Sequence, residues 1–346
     1  MALFMCKDTP VYDIGERQVL NSALCPFTGD YYKFANEKRL YLQTNRVAAS
    51  IDAMTGTTPE EKRVKSRRLS LSDCYWVKHK SDNVKFADVT PYHNPAITAA
   101  NLHLGKSSPD LTVGGSETKH WVRFDGVWYL CKRLSAVKYL NELVAIHTAT
   151  ALRVPVNNAY CRSGAGLVRG SAVLEDQIKR CGSLERLYAA GGLPDVNELY
   201  LENIADSSRM LLNFDMLSLK VNGYNVREVT GAFRKLGFAT DMSDLYALRT
   251  VLFDAIVGNY DRFTYMPNWG VYKSPDTGKY SCSPLYDFDK LHLIDLNRGQ
   301  LDMVAAFLRA DGYTPAAVKL LKEWKTIIPV SAVLAKCDYL LSHIDN

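Results

Sequence analysis

The chain has 346 residues, 47% hydrophobic and 23% charged, a balance that excludes a disordered polymer and leaves room for one large bilobal domain or two ordinary ones. Lys and Arg exceed Asp and Glu by 42 to 37, a net charge of +5, which suits anionic ligands and argues against a dedicated nucleic-acid binder. Eight scattered cysteines form no CxxC pair and seven histidines form no HExxH, so the expectation is reduced thiols in a cytoplasmic protein without zinc, leader or membrane span.

In chain order, residues 1–30 read as a short strand and a loop with Pro26 and Gly29. Over residues 32–54 the positions Phe34, Tyr41, Val47, Ala48 and Ile51 recur at helical spacing. A polar linker follows, ending in Lys62, Arg63, Lys65, Arg67 and Arg68. That run suits phosphate or RNA, and the reading as a solvated turn or helix face has the greater weight. Residues 79–110 are a loop-rich connector. Asp125-Gly126 between two β-rich runs predicts a hairpin, because both turn residues need positive φ.

A helix is predicted over residues 136–152, with β-rich runs near 154–161 and 167–174. From residue 183 onward helices dominate, at SLERLYAA, near 208–220, over 242–257, after the N-cap signal Thr314-Pro315, and over 330–343. A β-rich insertion near 268–286 interrupts them. Strands before about residue 175 and helices after it imply an α+β fold. The expected parts are an N-terminal extension and connector (1–110), a β-rich small lobe (111–175) and a helical large lobe (176–346).

Three groups of residues carry candidate chemistry. Asn259-Tyr-Asp261-Arg262 follows the apolar helix LRTVLFDAIVG, so a rigid scaffold holds an amide and a carboxylate at its end. Asn268 and Asp287 bracket the predicted hairpin and offer the hard oxygens that Mg²⁺ prefers. Asp261 is then left to orient or deprotonate an accepting hydroxyl. On those residues alone, an ordinary helix-terminal turn has equal weight. Upstream, Thr112, Gly114, Gly115, Ser116 and Lys119 form a glycine-bearing loop whose backbone N–H groups can approach phosphate, or an ordinary turn. Lys132 near the end of the second hairpin strand and Glu142 in the next helix match the Lys–Glu pair by which kinase folds hold ATP phosphates.

The ordered set GGSETK, YLCKR, NELVAIHTATAL, LFDAIVGNYDR, NWGVY and SPLYDFDKL resembles the HipA-like protein kinases, and SLSDCYWVK and SPDLTVGG resemble a bacterial and phage subgroup of them. The similarity spans roughly residues 70–295. It implies a bilobal, ATP- and Mg-dependent serine/threonine kinase acting on a protein acceptor. Asp261 would be the catalytic base, Asn268 and Asp287 the metal ligands, and Asp289 an additional carboxylate. Lys132 would bind ATP phosphates with Glu142 as its partner, under the loop 112–119; Thr112 falls where some relatives carry a phosphorylated Ser. A protein regulator is an implied partner.

Two departures from that pattern stand in the catalytic loop. Phe263 replaces a His, and Asn268 follows Asp261 by seven residues instead of the family's five. Either the loop absorbs the two extra residues or Asn268 is displaced. The alternative function is therefore a pseudokinase, a nucleotide-binding scaffold or regulatory partner without transfer.

Overall fold

The computed structural model describes residues 1–39, 67–92, 100–101, 118–164, 166–193 and 198–344. These fall into two compact units. The first comprises residues 1–133, 200–218 and 271–281, and the second residues 134–199, 219–270 and 282–346.

The first unit is β-rich. Ala2–Cys6 lies between the antiparallel strands Thr9–Asp13 and Tyr75–His79, and Gln18–Val19 extends the sheet beyond Thr9–Asp13. Three strands thus stand in residues 1–30, where one was expected; Phe4, Met5 and Cys6 are all buried, so the first strand lacks the period-two pattern that marks a strand in sequence. Aromatic rings fill the core beneath them. Phe4 stacks on Tyr75 at 5.1 Å, Phe27 on Phe34 at 4.8 Å, and Tyr12 on Tyr31 at 5.8 Å.

Asp30 caps the helical segment Tyr31–Lys33, which continues as a π-helical turn over Phe34–Lys38; the remainder of the helix expected to residue 54 lies outside the described residues. Arg39 then enters the interior. Its guanidinium meets both carboxylate oxygens of Asp73 at 2.7 and 2.8 Å and donates to the carbonyls of Arg68 and Tyr75. Of the basic run, Arg67 pairs with Asp82 at 3.0 Å and faces the Trp76 ring, while Arg68 is buried against Tyr31. These two are packed residues rather than a solvated face; Lys62, Arg63 and Lys65 lie outside the described residues.

The Asp125-Gly126 hairpin forms as expected, with φ of +48° and +82° joining Thr118–Phe124 to Val127–Arg133. A further three-stranded sheet has the order Met210–Asn213, Gly270–Lys273, Tyr280–Cys282. The helix expected near 208–220 is therefore a strand at its centre. Met210, Leu212 and Phe214 are buried at alternate positions, a period of two and not 3.6. With Glu198–Glu202 also a strand, β-structure extends well past residue 175.

The second unit is mainly helical. Thr240–Val257 is its central helix, buried nearly all round from Ala247 onward. Val226–Lys235 packs on it, as do the C-terminal helices Arg298–Ala310, Thr314–Lys325 and Ser331–Ile344. Tyr313, not Thr314, takes the N-cap position of the second of these. Ala136–Ala151 forms as expected. The β-run expected over 167–174 ends at Arg169, and Gly170–Cys181 is a helix. Gly170 makes that switch possible, since a Cβ there would lie 2.4 Å from Leu143 Cδ2.

The Arg39–Asp73 pair generates a stability prediction. Both side chains are almost completely buried, so Arg39→Met leaves a buried carboxylate without its countercharge. The expected loss is about 3–5 kcal/mol, read as a lowered urea midpoint of the N-terminal unit by tryptophan fluorescence.

Candidate functional site

The site is built at the end of the central helix Thr240–Val257. Gly258 terminates it in the left-handed conformation, φ +76°, where a Cβ would lie 2.6 Å from the His292 carbonyl oxygen. The His292 N–H donates to the Gly258 carbonyl at 3.0 Å, and Lys336 Nζ donates to the His292 carbonyl. Burial lowers the Lys336 amine to about 8, against a smaller opposing effect of Asp295.

One turn before the helix ends, Asp254 is fully buried in an otherwise apolar run. Asn259 Nδ2 donates to its Oδ1 at 2.9 Å, and Arg262 Nε meets its Oδ2 at 2.7 Å. Burial raises the Asp254 carboxyl to about 6, with Arg262 and Asn259 pulling in the opposite direction. The other guanidinium nitrogens of Arg262 donate to the carbonyls of Asn268 and, at 2.7 Å, Tyr286. One arginine thus fixes the helix end, the residue carrying the candidate amide, and the residue preceding Asp287. Tyr286 Oη donates to the Pro267 carbonyl at 2.9 Å and ties the last two segments together again.

Asp261 opens a single helical turn, Asp261–Thr264, followed by a 3₁₀ turn over Met266–Asn268. The stretch from Asp261 to Asn268, two residues longer than in the pattern it resembles, is wound into these two turns. Asn268 Nδ2 lies 3.1 Å from Asp261 Oδ2, which leaves the amide's Oδ1 as the atom it can offer a cation. Phe263, standing where the related pattern has His, is buried 4.3 Å from the Tyr224 ring, and its carbonyl accepts from Gly223 N–H at 2.9 Å. A Cβ at Gly223 would lie 2.4 Å from Phe263 Cα, so only glycine allows this approach.

Lys290 Nζ lies 3.2 and 3.3 Å from the two carboxylate oxygens of Asp261. Partial burial opposes its charge, yet the hydrogen bond and charge of Asp261, followed by the charges of Asp289 and Asp287, raise its pKa above the ordinary lysine value. Asp287 takes a left-handed conformation, φ +65°, and Asp289 is buried with its carbonyl accepting from Asn141 Nδ2 at 3.1 Å. Among the described residues no three His, Cys, Asp or Glu side chains converge as a metal cage. Asn268 and Asp287 were expected to hold Mg²⁺, and each offers hard oxygen atoms of the kind such a cation prefers.

Lys132 is buried in Val127–Arg133, directly opposite Lys119 on the neighbouring strand, so the two lysines share one face of the hairpin. Glu142 is fully buried in Ala136–Ala151. Thr112, Gly114, Gly115 and Ser116 lie outside the described residues. Sequence reasoning assigned no role to Asp254, Arg262, Gly223 or Lys290. The available signal was the lone Asp inside LRTVLFDAIVG, eight positions before an Arg.

No family model matches the sequence, and no curated protein matches it. Solved structures do. The Shewanella oneidensis toxin–antitoxin complex of HipA, HipB and operator DNA contains a chain similar to all of this one over 97% of its own length, with 11% identity and a TM-score of 0.52. The Helicobacter pylori proinflammatory kinase CtkA is similar over 66% of this chain and 90% of its own, with 12% identity and a TM-score of 0.40. The chain has the α+β, bilobal, protein-kinase-like fold of the HipA type.

Arg262→Met is expected to destabilise the second unit by about 3–5 kcal/mol at pH 8, because Asp254 is left charged and buried. The Asp254 value is raised above that of an unfolded carboxyl, and removing Arg262 raises it further. The gap from wild type therefore persists above the variant's value and narrows as pH falls toward about 6. Melting temperatures of both proteins between pH 5.5 and 8 check this.

Proposed function

We propose that the chain is an ATP- and Mg²⁺-dependent serine/threonine protein kinase of HipA-like type, acting on a protein acceptor and on itself. The observation that carries the reading is the joining of Asp261, Asn268 and the Tyr286-Asp287 segment through Arg262 and the 3.1 Å Asn268–Asp261 contact. A general base and a cation-binding pair held on one buried scaffold are what phosphoryl transfer requires of the protein, since most of its catalysis is positioning and charge stabilisation.

In this proposal Asp261 accepts the proton of the attacking hydroxyl, and Asn268 and Asp287 hold Mg²⁺, with Asp289 beside them. Bound Mg²⁺ supplies neutralisation of the phosphate charge. Lys132, Lys119, Thr112, Gly114, Gly115 and Ser116 contact the ATP phosphates, and Glu142 orients Lys132. The facing positions of Lys119 and Lys132 support this assignment, because two positive charges on one face of the hairpin suit an anionic ligand. All eight cysteines are free thiols, in keeping with a cytoplasmic enzyme. No described helix is long and apolar enough to cross a membrane.

A protein regulator belongs to the same proposal, and direct nucleic-acid binding does not. Arg67 and Arg68, the described members of the basic run, are engaged with Asp82, Trp76 and Tyr31. A second reading, a nucleotide-responsive scaffold without transfer, rests on Phe263 in place of a polar ring.

The purified chain is expected to transfer label from γ-labelled ATP to itself or to an acceptor protein, and Asp261→Ala to abolish transfer while keeping its melting temperature. ATP with Mg²⁺ at about 100 times its Kd should stabilise the protein by about 2.7 kcal/mol, and Asp287→Ala should remove that gain. Stabilisation without any Asp261-dependent transfer across a broad acceptor panel would establish the scaffold reading in its place.

A further inference from the structure

Both carboxylate oxygens of Asp261 are met by the Lys290 amine. The negative charge of that carboxylate repels the polyphosphate that the proposed reaction must bring to it. Arg262 does not relieve the repulsion, because its guanidinium is committed to Asp254 and to the carbonyls of Asn268 and Tyr286. Lys290 is differently placed. Its Nζ sits almost evenly between the two Asp261 oxygens, 3.2 and 3.3 Å away, and its side chain is 47% exposed. The amine is thus held beside the proton acceptor without being locked in the interior, and it has three N–H donors to distribute.

We propose that Lys290 is a catalytic residue that donates to the γ-phosphoryl group during its transfer, an inference that rests on the phosphotransferase reading above. In the step, the bond between the acceptor oxygen and the γ-phosphorus forms as the bond from that phosphorus to the β–γ bridging oxygen breaks. The electron pair of the broken bond leaves with ADP, and the hydroxyl proton passes to Asp261. Lys290 keeps its own protons throughout. One N–H stays on Asp261, keeping the carboxylate beside the hydroxyl, while another follows the negative charge on the equatorial oxygens. A fixed donor aimed at charge that grows in the transition state accelerates the chemical step more than it tightens ground-state binding.

Two measurements test this, one of them independent of turnover. In the wild-type chain, acetylation of Lys290 by an amine-reactive ester is followed by mass spectrometry with Mg²⁺ and either ADP or a non-transferable ATP analogue. The analogue should protect Lys290 at least about tenfold and ADP should not, since only the analogue carries the third phosphate. In kinetics, Lys290→Met should lower kcat by about 100-fold with the KM for ATP changed by less than about threefold, and Lys290→Arg should restore part of the loss. Equal labelling with ADP and the analogue, or a Lys290→Met kcat within about threefold of wild type beside an inactive Asp261→Ala, overturns the inference and leaves the kinase reading standing. A wild-type chain that neither transfers label nor is stabilised by the analogue overturns both.

Discussion

The buried ion pair of Asp254 and Arg262 is the interaction on which the site depends. Both side chains are essentially inaccessible to water, and removing two charges from water costs several kcal/mol per ion before their attraction offsets it. A pair of well-packed apolar residues would be at least as stable. What the charges add is directionality. The guanidinium presents a rigid fork of donors, and here its donors reach three segments that are distant in sequence: the helix at Asp254, the turn at Asn268 and the strand exit at Tyr286. Its own carbonyl accepts from Trp269 Nε1 at 2.7 Å, closing the loop on itself. An apolar replacement could fill the volume but could not set the direction of two peptide planes and a carboxylate.

Around that anchor the chain exposes charge in a graded way. Asp254 is fully buried, Asp289 is nearly so, Asp261 is 24% exposed, and Lys290 lies at the rim. The innermost carboxylate is compensated within the protein. Asp261 is met by the rim lysine and by the Asn268 amide. This gradient separates the carboxylates by solvent access. Burial is the largest influence on Asp254 and raises its carboxyl to about 6.

Much of this was legible in the sequence where local chemistry decides the outcome. The Asp125-Gly126 turn and the helices expected over 136–152 and 242–257 rest on short-range rules of φ and periodicity. The failures came where packing decides. MLLNF reads as helix or strand until neighbouring strands impose the alternation of Met210 and Leu212. Gly170 reads as a strand breaker until Leu143 shows why a helix must begin there. Arg262 and Lys290 were visible as letters, and no sequence rule says which carboxylate a cation will meet. Asp254 was the exception in principle, since an isolated acid in an apolar helix demands a buried partner.

The stretch between Asp261 and Asn268, two residues longer than the pattern it resembles, is wound into turns and not extended. Inserted residues displace a side chain only if they extend the path between anchors. Here both anchors are fixed, Asp261 at the helix end and Trp269 by its bond to the Arg262 carbonyl, and the added residues are taken up as turn. Tyr265 N–H returns to the Asp261 carbonyl at 2.9 Å, and the Asn268 and Trp269 N–H groups close the 3₁₀ turn at 3.1 Å each. The exchange of a polar ring for Phe263 follows the same logic. Phe263 is held by apolar burial against Tyr224 and by a backbone bond from Gly223, whose missing Cβ lets the two chains touch. The brace on this loop lies in the segment at residues 222–224. The constraint on this loop is thus recorded at a glycine some forty residues upstream, outside any motif a reader of the loop alone would inspect.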